Sequence, residues 1–184
     1  MPLLTPLTLA ATLLLAPMHE LQDNRATIVL RDKSHLSVTL YINFTDALHR
    51  AFGGTRTRQE FVLAWSAMPA RDLERELVRA EQRFAAQTKI ATAAGAPLAL
   101  ASWKWPSVGD VQALLQKQAM QIVVAPNDHA FEQPLEIHAE AIAPQAVTTV
   151  TVKFPLEFRR VLVVSYAPKQ LWVEATGSAP TIRF

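Results

Sequence analysis

Five histidines hold most of the chemistry this sequence can offer: His19, His35, His49, His129 and His138. There is no Cys, which excludes thiol nucleophiles and thiolate metal sites. No two histidines stand three or four residues apart, so no single helix turn makes a metal clamp. Any metal site must therefore be assembled in space. His19 is the sharpest candidate. Cleavage after Met18 would make it the N-terminal residue, and its α-amine and imidazole together would chelate Cu(II), which favours planar nitrogen and oxygen donors. Glu20 and Asp23 lie nearby in the chain, and His35 begins the neighbouring strand. His138 sits between Glu136 and Glu140, whose carboxylates can orient an imidazole or share its proton. His19, His35 and His138 are the metal candidates, and copper is the candidate ion. Simpler readings compete: termini are loosely held, and antiparallel sheets often turn a polar face to water. His129 belongs to the turn-like stretch NDHAF, and His49 has no partner evident in the sequence.

Trp103 and Trp105 are two apart, so a strand places both on one face with Lys104 opposite. Side-by-side indoles make a platform for a sugar or an apolar ligand. Core packing is the competing reading, because large aromatics dominate cores. Trp172 shares a strand face with Gln170 and Glu174, which reads as a covered residue or a contact patch. Asn43-Phe44-Thr45 matches the glycosylation sequon, but Phe44 reads as core-facing.

The common catalytic signatures are absent. The chain has no G-x-S-x-G, G-x-G-x-x-G, Walker loop or H-E-x-x-H, and its five glycines leave little for a phosphate cradle. A hydrolase built from scattered acids and His49 or His138 remains an alternative; it requires a cleft in which those groups converge. Nucleic acid is a poor partner. The net charge is only +2, basic and acidic residues are interspersed, and the longest basic run is the pair Arg159-Arg160. With half of its residues hydrophobic and 18% charged, the chain can form a core. No cofactor is implied apart from the copper alternative.

The elements that must position these residues begin with a leader. Met1 to Met18 holds no charged residue and no His, and Leu7 to Ala16 reads LTLAATLLLA. That run is short of the roughly 20 residues a membrane span needs, and His19, Glu20 and Asp23 follow at once. Residues 1–18 read as a secretory signal peptide and 19–184 as a single soluble α+β domain. No later stretch of about 18 residues is continuously apolar, so no stable membrane span is expected after signal removal.

Arg25–Arg31 and His35–Phe44 flank a turn signal at Asp32-Lys33-Ser34. Leu36, Val38, Leu40, Ile42 and Phe44 alternate with polar residues, the period of a half-buried strand. Thr45 caps a short helix over 46–52 that Gly53-Gly54 ends. A second helix opens at Thr57 or Arg58 and stops at Met68-Pro69. Leu73, Leu77, Ala80 and Phe84 predict a helix from Pro69 to about Lys89. The stretch from Ala91 to Pro97 reads as a loop and Leu98–Trp105 as a strand. Ser107 and Asp110 open a helix over 108–118, Gln121–Val124 reads as a strand, and Pro126-Asn127-Asp128 as a turn. Alternation resumes over 133–141 and 148–154, and RRVLVVSY and KQLWVEA follow. The expectation is an N-terminal β-hairpin, a helical middle and an antiparallel, sandwich-like C-terminal part, with the hairpin pairing to the later strands.

The apolar leader, His19-Glu20, the hairpin RATIVLRDKSHLSVTLYINF, the helix TDALHRAF and the terminal strands are together similar to small exported domains of Gram-negative bacteria. Some of these precede HupE/UreJ-type membrane segments linked to metal uptake. The resemblance covers His19 to about Phe52 and the general order of the rest. It implies a periplasmic location. The leader, the missing catalytic motifs and the sandwich-like C-terminal part point to a non-enzymatic domain that binds a protein partner or small ligand, as an accessory to a membrane system.

Mass spectrometry of the chain expressed with its leader in a Gram-negative host is expected to find a mature protein beginning at His19. Copper titration should then show tighter binding than in the His19→Ala variant. Any other mature N-terminus removes the chelate.

Overall fold

The computed structural model describes residues 24–124 and 133–168. His19, His129, Trp172, the leader, the turn at 126–128 and the stretch KQLWVEA lie outside the described residues. The chain runs β1 (Asn24–Arg31), β2 (His35–Ile42), α1 (Phe44–Phe52), α2 (Arg58–Ser66), α3 (Ala70–Gln87), β3 (Lys89–Thr92), β4 (Pro97–Leu98), β5 (Ala101–Lys104), α4 (Val108–Val124), β6 (Leu135–Ile142), β7 (Val150–Lys153), a 3₁₀ turn (Leu156–Phe158) and β8 (Val161–Tyr166).

The hairpin forms as its sequence predicts. Asp32 and Lys33 both take positive φ, 49° and 62°, and the Ser34 amide donates to the Arg31 carbonyl at 3.2 Å. Two consecutive positive φ values make a type I′ turn, whose twist matches that of the flanking strands. The hairpin then becomes the middle of a five-stranded sheet ordered β5-β6-β2-β1-β8. β1 and β8 are parallel; the other neighbours are antiparallel. A three-stranded antiparallel sheet, β4-β3-β7, stands beside it. The class is mixed α+β, with the helices in the middle of the chain. The last third divides its strands: β6 and β8 flank the hairpin, and β7 joins the small sheet.

The alternation decides what is buried. Ala26, Ile28, Leu36, Val38, Leu40, Ile137, Ala139 and Ala141 point to one side of the large sheet and are at most 4% exposed. The helices cover that side. α3 presents Leu73, Leu77, Ala80 and Phe84, as its spacing predicts. Phe84 lies edge-on to Phe44 at 6.3 Å and packs on Phe158 at 5.1 Å. Ile90 and Leu98 of the small sheet join the same cluster. The Asn24 side chain donates to the Phe158 carbonyl at 2.6 Å and accepts from the Asn43 amide at 2.7 Å, so it ties the start of β1 to α1 and to the 3₁₀ turn. Arg83 donates to the buried Glu157 carboxylate at 2.5 Å, and Arg50 donates to the Glu157 carbonyl at 3.0 Å.

Three local expectations change. Asn43, not Thr45, caps α1, accepting from the Asp46 amide at 3.2 Å; Thr45 is buried instead. The strand expected over Leu98–Trp105 is divided into β4 and β5, while Lys89–Thr92 is a strand rather than a helix end and loop. Gln121–Val124 is helical, not a strand. Ala119 and Ile122 continue the stripe of Val111, Leu115 and Gln118 onto the core, and that packing overrides the β preference of the Val pair. The Thr57 cap of α2 is as expected, with its amide donating to Glu60 at 2.7 Å; this bond holds the Glu60 carboxyl below its ordinary range.

No helix among the described residues is long and apolar enough to cross a membrane. Phe84→Ala is expected to cost about 3–5 kcal/mol, because it opens a cavity between α1 and the 3₁₀ turn. Urea denaturation measures this; a loss under about 1 kcal/mol would mean that the aromatic trio does not anchor the fold.

Candidate functional site

β6 lies between β2 and β5, and its polar face is where the sequence candidates meet. The antiparallel register sets His138 directly opposite Thr39 on one side and Lys104 on the other. Directly opposed residues share a face, so all three stand on the face opposite the buried residues of β2 and β6. Glu136 and Glu140 flank His138 on the same face, opposite Tyr41 and Ser37. The Glu136 carboxylate accepts from His138 Nε2. Nδ1 lies 3.0 Å from Thr39 Oγ1, which is thereby placed to donate to it. The imidazole is held at both nitrogens, and the neutral ring is fixed as the Nε2–H tautomer.

β5 reaches this position through a bulge. Ala101 pairs with Glu140 and Lys104 with His138, so β5 takes three steps where β6 takes two. Ser102 absorbs the extra residue at φ 53°. Lys104 is left beside His138, while Trp103 and Trp105 turn onto the core as partly buried residues. Their rings stack with centroids 5.1 Å apart and planes 12° from parallel. The chain then enters α4 through a reciprocal cap. Ser107 Oγ donates to Asp110 Oδ2 at 2.6 Å and accepts from the Asp110 amide at 3.1 Å.

An open cleft of about 610 Å³ lies between these elements. Leu114 and Leu135 give it apolar surface. Trp105 lines it beside Lys104, Glu136 and His138, and Asp110 and Lys117 face it from α4. The structure thus brings together three residues the sequence singled out: Trp105, His138 and Glu136. Trp103 stacks behind Trp105 and does not line the cleft.

His35 is elsewhere. It shares the outer face with His138 but pairs opposite Ile142, four residues from Thr39, so about 13 Å of strand separates the two imidazoles. Its Nε2 lies 3.7 Å from Glu140. Among the described residues no group of three or more His, Asp or Glu could hold a metal ion. His49 lies apart from the cleft: its Nε2–H donates to the Arg56 carbonyl at 2.8 Å, and its ring packs on Phe61. Of the groups a hydrolase would draw on, Asp110, Glu136 and His138 line one cleft, whereas His49 does not line it.

Lys104 is placed opposite the tryptophans by the alternation but given no role, and Lys117 is not singled out, because both charges look like ordinary solvated ones. A signal existed on α4: Asp110, Leu114 and Lys117 stand four and three apart, on one helix face beside the apolar stripe. No family model matches the chain, and neither a curated protein nor a solved structure matches it.

The fixed imidazole is checked by long-range ¹H–¹⁵N spectra of the histidine rings. Neutral His138 is expected as the Nε2–H tautomer, and Thr39→Val should release it to a mixture. A wild-type ring that is mainly Nδ1–H would contradict the geometry.

Proposed function

We propose that the chain is an exported, periplasmic domain that binds a small ligand in the cleft between β5, β6 and α4, as a non-enzymatic accessory to a membrane system. The export reading rests on the uncharged leader Met1–Met18 and the resemblance that includes it. The binding reading rests chiefly on one observation: an indole braced by a second indole faces a side-chain chain, Glu136–His138–Thr39, that is already hydrogen-bonded into place. Concave sites that combine apolar walls with a few convergent polar groups are the usual form of small-molecule sites, and 610 Å³ falls within their usual size.

A protein partner is the second reading, and β8 favours it. Among the described residues this strand ends the large sheet, and Leu162, Val163, Val164 and Tyr166 are 59%, 40%, 41% and 54% exposed. An exposed apolar edge strand is a template for strand addition by another chain.

A fragment library screened by ¹H–¹⁵N spectra of the full chain is expected to give hits that move the Trp105 indole signal together with the His138 amide. Trp105→Ala should weaken those hits by about tenfold, the equivalent of roughly 1.4 kcal/mol. Hits that gather instead on the β8 amides would favour the partner surface, and hits indifferent to Trp105→Ala would overturn the cleft as the binding site.

A further inference from the structure

We infer that the ligand of this cleft is a neutral saccharide; the inference rests on the proposed binding function and assigns the ligand's chemical class. Charge is the first argument. The cleft sets two cations, Lys104 and Lys117, against two carboxylates, Asp110 and Glu136. Neither lysine has an ion-pair partner among the described residues, so both ammonium groups are open to a ligand. Their field is balanced by the acids. A phosphate or dicarboxylate would gain from the lysines and lose to the carboxylates, and a polyamine the reverse. A ligand with many hydroxyls and no net charge uses both signs, because each hydroxyl donates to a carboxylate and accepts from an ammonium.

The second argument is the uncommitted capacity of the acids. Asp110 uses Oδ2 for the helix cap and Glu136 uses Oε1 for His138. One oxygen of each is left with lone pairs that no described side chain fills. Fixed carboxylates with a spare oxygen accept from vicinal hydroxyls without reorganising, which is what makes a polar site specific.

The third argument is the wall. Trp105 is partly buried and braced by Trp103, whose ring lies 12° from parallel. A flat, rigid indole in a cleft that combines apolar walls with a few charged groups suits a ligand with one C–H face and a rim of hydroxyls. A wholly apolar ligand would leave the lysines and acids desolvated and unpaired, at a cost that stacking on one ring does not recover.

The test is titration of the full chain, followed by tryptophan fluorescence and by the Trp105 indole signal. The probes are maltose and cellobiose, with glucose 6-phosphate, citrate, spermidine and indole as comparators. A neutral disaccharide is expected to move the Trp105 signal, with affinity falling about tenfold in Trp105→Ala and in Glu136→Gln. Lys117→Met gives the same loss at a solvent-facing position that the fold does not need, which keeps the test intact if a Trp105 variant fails to fold. Selective binding of citrate or glucose 6-phosphate, or of indole, at Trp105 would overturn the saccharide assignment while leaving the cleft a binding site. A Trp105 signal unmoved by every probe and by the fragment library would overturn both.

Discussion

Strand β2 must hold one register between two neighbours, and the rest of the structure depends on it. Its even-numbered residues, Leu36, Val38, Leu40 and Ile42, are at most 1% exposed, and β1 and β6 pair with it along its length. A slip of one residue would turn all four onto the outer face and replace them with His35, Ser37, Thr39 and Tyr41. Burying those polar groups without partners would cost several kcal/mol. The core therefore fixes the register, and the register in turn fixes what stands on the other face. Thr39 lies opposite His138 because Leu40 lies opposite Ile137 and Val38 opposite Ala139.

That coupling explains why the polar cluster stands where it does. β6 is held by the core on one face, so it can present Glu136 and His138 on the other at no cost in burial. Its second neighbour, β5, is short and bulged, and the bulge separates the roles of adjacent residues. Lys104 goes to the polar face and the two tryptophans to the core side. The capped start of α4 then closes the corner with Asp110 and Lys117. Each cleft residue is thus fixed by an element whose position is set by apolar packing elsewhere. The opposite edge differs. β8 contacts the sheet through its pairing with β1 and leaves its apolar side chains exposed, so the two ends of one sheet offer different chemistry.

Much of this was legible in the residues. The period of two in HLSVTLYINF gives β2 its buried face, and LERELVRAEQRF gives α3 its stripe. The tryptophan pair and the Glu-x-His-x-Glu alternation of β6 were both visible as candidates. What could not be read was pairing at a distance. Thr39 and His138 are 99 residues apart, and nothing local says that one lies across from the other. The bulge at Ser102 was hidden for a related reason: it is imposed by fitting β5 to β6, not by a glycine in the sequence. Gln121–Val124 misled because β-branched residues favour strands in isolation, whereas Ile122 is drawn into the helix by packing. His35 and His138 share a face, as their alternation implied, but only the register shows that they are too far apart to hold one ion.

Native-state hydrogen exchange tests the central claim, that a core-locked β2–β6 register holds the cleft residues in place. The amides of β2 and those of β6 bonded to it are predicted to exchange slowest, only through global unfolding, while β8 amides exchange through local opening. Exchange at Thr39 and His138 as fast as along β8 would contradict the account, because the cluster would then rest on a strand pair that opens independently of the core.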